Sequence, residues 1–71
     1  TKNLGKFIDI QMANSELNLF TSGGYLLSFN YKNGNLNFIE KISKNGINSK
    51  IAFIKNNFLL VDGKNKLLKF N

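Results

Sequence analysis

The side chains that could do chemistry in this 71-residue chain are four carboxylates (Asp9, Glu16, Glu40 and Asp62), ten lysines and five serines. General acid–base or glycosidic chemistry needs two carboxyl groups held across one reacting bond, and none of the four recurs at a spacing that would pair two on one face. Histidine and cysteine are both absent. That removes the commonest metal ligand and general base, thiolate zinc sites and any disulfide framework. The serines at 15, 22, 28, 43 and 49 have no histidine to activate them, which leaves lysine as the only base of that kind. Asp62 precedes Gly63 and reads as a turn former. Asp9, near the start of an apolar run, is the one acid that could face a ligand. The sequence assigns no catalytic, cofactor-binding or metal-ligating residue, and the expectation is a protein that is not an enzyme.

The formal net charge is +6, unevenly distributed. Thr1 to Glu40 carries three lysines against three acids, whereas Lys41 to Asn71 carries seven against one. A basic surface for nucleic acid or anionic lipid could be built from Lys41, Lys44, Lys50, Lys55, Lys64, Lys66 and Lys69. Every basic residue is lysine, which lacks the planar fork that arginine offers to phosphates and guanine edges. No specific nucleic-acid site is therefore expected. Lysines on exposed strand edges also discourage edge-to-edge pairing. No run of some 18 apolar residues is present to span a bilayer, so no transmembrane segment is expected, and any signal segment would lie outside Thr1 to Asn71.

The elements that must position these residues repeat. A shift of 41 sets Leu17–Phe20 on Phe58–Val61 and Tyr25–Asn30 on Lys66–Asn71, with Leu19, Leu26, Leu27, Phe29 and Asn30 recurring as Leu60, Leu67, Leu68, Phe70 and Asn71. The same shift lays Ile10–Ala13 on Ile51–Ile54. Each unit has short apolar runs separated by Gly, Asn and Ser, with no proline and no helical periodicity, the pattern of an antiparallel meander. The strands expected in residues 1–43 are Phe7 to Ala13, Leu17 to Thr21, Tyr25 to Asn30 and Leu36 to Ser43. In residues 44–71 they are Ile51 to Lys55, Phe58 to Val61 and Lys66 to Phe70, an incomplete second unit. Turns are expected at Ser22-Gly23-Gly24, Asn56-Asn57 and Asp62-Gly63-Lys64-Asn65. In Asn30-Tyr31-Lys32-Asn33-Gly34-Asn35 the Asn30 amide accepts from backbone N–H groups while Gly34 turns left-handed. Tyr25–Phe29 and Phe58–Val61 are apolar on both faces, as in sheets covered on both sides. A four-strand unit of about 40 residues suits a β-propeller, of which seven strands make about one and three-quarter blades.

The stretch Tyr25 to Phe38 resembles the quinoprotein-type (PQQ-like) propeller repeat, and Lys66 to Asn71 resembles the start of another copy. The resemblance implies that Asn30 and Asn71 begin the turn, Gly34 ends it and the aromatic at Phe38 docks between blades. Phe38 stands where the family usually has tryptophan. These are structural positions, shared by enzymes and scaffolds alike. The resemblance implies a non-enzymatic scaffold binding protein partners, of the BamB type that serves outer-membrane protein assembly, at the periplasm or outer-membrane periphery. The alternative it implies is part of a PQQ-dependent dehydrogenase, whose calcium ligands, catalytic acid and quinone-stacking residues would come from elsewhere in a longer chain; the tryptophans and adjacent cysteines of such a site are absent from these 71 residues. The last expected strand, Lys66 to Phe70, would be an open edge, which predicts self-association through that edge or through the uncovered faces.

Overall fold

The computed structural model describes residues 3–13 and 15–70, and they form two antiparallel sheets. The first is a four-stranded meander of β1 (Phe7–Ala13), β2 (Glu16–Thr21), β3 (Tyr25–Asn30) and β4 (Leu36–Lys41). The second is a three-stranded meander of β5 (Ala52–Ile54), β6 (Asn57–Val61) and β7 (Leu67–Phe70). Among the described residues every strand pairs with its sequence neighbours alone, as short turns between apolar runs dictate.

The turns repeat with the strands. Residues with positive φ stand at Gly5 and Gly46, at Ser15 and Asn56, and at Gly24 and Asn65, each pair separated by the same 41 positions. At Gly24 the φ of +90° is coupled to close packing: a Cβ there would collide with the carbonyl oxygen of Ser43. Gly34 also has a left-handed φ, +76°, but nothing lies within 4 Å of where its Cβ would be.

Six strand ends differ from expectation by one or two residues, and the larger differences have local reasons. The β5–β6 hairpin turns on Lys55-Asn56, with φ of 51° and 66°, and not on Asn56-Asn57. This register sets Phe53 opposite Phe58, their ring centroids 4.8 Å apart, and so gains a cross-strand aromatic pair. Strand β4 ends at Lys41 because the next two N–H groups, of Ile42 and Ser43, donate to the carbonyl of Gly24 at 2.8 and 3.2 Å. Strand β5 begins after Ile51, whose backbone groups are taken by side chains of β1.

The two sheets face each other across one core. Phe20 and Leu26 from the first pack with Ile47, Ile51, Phe58 and Leu60, and Phe53, Leu68 and Phe70 close around them. Phe20 is fully buried and meets Phe58 edge-on at 5.3 Å. Register alternation shows which residues do this. Asp9, Phe20, Leu26 and Glu40 share one row of the inner face, and Gln11, Asn18, Ser28 and Phe38 the next. The opposite face carries Ile10, Leu19, Leu27 and Ile39, then Met12, Leu17, Phe29 and Leu36. It has no covering layer among the described residues, and Met12 is 54% exposed on it.

Candidate binding surface

Two aspartates that the sequence could assign either to turns or to ligands are both consumed by the fold. One Asp9 carboxylate oxygen accepts the Ile51 N–H at 2.9 Å, the other accepts the Ile10 N–H at 2.9 Å, and Gln11 Nε2 donates to the Ile51 carbonyl at 2.8 Å. Adjacent inner-face residues of β1 thus clamp both backbone groups of Ile51 and tie the two units together. Asp62, buried in its turn, accepts the N–H groups of Lys64 and Lys66, each at 2.9 Å, and the Asn45 amide at 3.2 Å. Hydrogen bonds to the charged form, led by the Ile51 N–H for Asp9 and the Lys66 N–H for Asp62, hold both carboxyls below the ordinary value of 3.8.

The sign of the resulting pH dependence is fixed. A carboxyl whose folded value lies below its unfolded one contributes stability above the unfolded value and loses it as pH falls through the folded value. The urea midpoint is expected to hold steady from pH 7 to 5 and to drop below about pH 4. Asp9→Asn should flatten part of that drop, and an unchanged acid limb in this variant would show that the clamp carries no charge-dependent stability.

The repeat positions are placed as follows. The Asn30 side-chain oxygen accepts from Lys32 N at 2.9 Å and Asn33 N at 3.4 Å, and Gly34 N donates to the Asn30 carbonyl at 2.8 Å. Phe38 lies on the inner face of β4 and is 42% exposed, because the three-stranded second sheet does not reach that margin. Asn71 lies outside the described residues. Among the described residues no group of three or more His, Cys, Asp or Glu side chains is placed to hold a metal ion. Among the same residues no helix is long and apolar enough to cross a membrane.

The overhang at that margin makes a groove of about 410 Å³ between β4 and β7. Leu26, Phe38, Ile42, Leu68 and Phe70 line it, and Glu40, Lys41 and Lys69 stand beside them. One side of β7 pairs with β6, and among the described residues no strand pairs with the other side, an open edge that runs along the groove. In the first unit the corresponding edge, that of β3, is occupied by β4. The open edge is legible in the sequence and the groove is not, because the groove arises only when a three-stranded sheet is laid over a four-stranded one. No family model and no curated protein matches the chain.

Proposed function

We propose that the chain is a non-enzymatic, propeller-type scaffold that binds protein partners as extended strands added to β7. The observation that carries this reading is the free β7 edge beside an apolar groove, with backbone groups available for strand pairing and side-chain pockets for alternate residues. By the 41-residue correspondence, an added strand would run as β4 runs on β3, with apolar residues at the positions of Leu36 and Ile39 turned toward the groove. Lys41, Lys66 and Lys69 around the edge favour a partner segment with acidic residues at its outward positions. The two aspartates held in backbone hydrogen bonds support a structural and not a catalytic use of the carboxylates.

A synthetic peptide based on Asn35 to Lys41, with Lys41 replaced by glutamate, provides the test. Titration is expected to shift the amide resonances of Leu67–Phe70 and to slow their hydrogen exchange, more so for this peptide than for one carrying lysine at Glu40. Absence of any shift at millimolar peptide, or shifts confined to β1, would rule out strand addition at β7.

A further inference from the structure

The apolar outer face of the first sheet has a counterpart elsewhere in the same molecule. Adding 41 to Ile10, Met12, Leu17, Leu19, Leu27 and Phe29 gives Ile51, Phe53, Phe58, Leu60, Leu68 and Phe70. All six of the latter belong to the inter-sheet core or pack directly against it. The uncovered face is thus the repeat equivalent of the face that the second sheet presses onto Phe20 and Leu26. What covers such a face is visible in the chain itself: a surface of the kind formed by Ala13, Phe20, Leu26 and Ser28.

The second sheet offers that surface on its own outer side. The same shift carries Ala13, Asn18, Phe20 and Leu26 to Ile54, Leu59, Val61 and Leu67. Strand register places these four on the face turned away from the core, where Ile54 is 52% and Leu67 70% exposed. One molecule therefore displays both halves of an interface whose joined form is its own core.

We infer that a second copy of this chain docks head to tail, the outer face of its second sheet covering the outer face of the first sheet of its neighbour. The contact is heterologous, so each copy keeps one free half. It is independent of strand addition at β7, which uses a sheet edge and not a face. Two lysines oppose it, Lys50 at the repeat equivalent of Asp9 and Lys69 at that of Ser28. Lys69 stands where Ser28 is fully buried in the internal interface, so its ammonium must reach the rim while its stem lies along apolar surface.

Complementation distinguishes this arrangement from every symmetric one. Met12→Lys with Ile39→Lys blocks the first half, and Ile54→Lys with Leu67→Lys blocks the second; all four side chains are at least 44% exposed. Light scattering on the wild-type chain is expected to show mass rising with concentration, and each double variant alone should remain monomeric. Their equimolar mixture should form a one-to-one dimer and nothing larger. Lys69→Ser should lower the association midpoint about ten-fold in an otherwise wild-type chain. Amide dispersion in the NMR spectrum checks that each variant is folded, and glutamine replaces lysine in any that is not. A wild-type chain that stays monomeric at millimolar concentration would overturn the inference. So would a folded double variant that associates as the wild type does, or a mixture that stays monomeric.

Discussion

Phe20→Ala is expected to lose about 3–5 kcal/mol, a large share of the stability of the chain at 25 °C. The ring is fully buried and is the point at which the first sheet grips the second, edge-on to Phe58 at 5.3 Å and tilted against Phe70 at 6.4 Å. A domain of 71 residues, at roughly 0.05–0.15 kcal/mol per residue, has only about 4–11 kcal/mol in total. No disulfide supplements that core. Phe7→Ala is the matched control, because Phe7 is 61% exposed and its loss should cost under about 1 kcal/mol. Urea denaturation followed by circular dichroism measures both. Equal midpoints for the two variants would show that contact between the sheets contributes little to stability.

Gly24→Ala ranks next, with an expected loss of at least about 3 kcal/mol. The cost has two sources. At φ +90° an L residue is strained, and the added methyl would collide with the Ser43 carbonyl oxygen. Neither partner can give way easily, since the Gly24 carbonyl accepts from Ile42 and Ser43 and its N–H donates to Thr21 at 3.0 Å. Gly34→Ala separates the two sources, because its φ of +76° is also left-handed while the space around it is open. That variant should lose only about 1–2 kcal/mol. Thermal melts of the pair would reveal whether steric closure or backbone conformation dominates, and a Gly34 variant as unstable as the Gly24 variant would reject the steric account.

Strand positions were legible because each apolar run is short and bounded by residues that tolerate a turn. Phe7–Ala13 and Tyr25–Asn30 coincide with their expected limits. The β5–β6 turn was displaced by one residue because asparagine suits either position, and the deciding term is the Phe53–Phe58 pairing across the strands. The repeat held a usable signal, since it lays Asn14-Ser15 on Lys55-Asn56. The Asp9 and Gln11 clamp was not legible. Its target is the backbone of Ile51, some 40 residues away, and a backbone group leaves no mark of its identity in the sequence. The groove was hidden for a different reason: Phe38 and Leu68 come together only through the offset of one sheet over the other.

Lys69 has a consequence for how far assembly could run. A head-to-tail contact has no built-in stopping point, so the copies grow into a ring if the rotation between neighbours closes and into a fibre if it does not. A lysine at the position where Ser28 is sealed away makes each such addition cost the ordering of a long side chain whose ammonium has to be carried to the rim. In such an assembly it would act as a gatekeeper on a mainly apolar surface, keeping copies dispersed at low concentration.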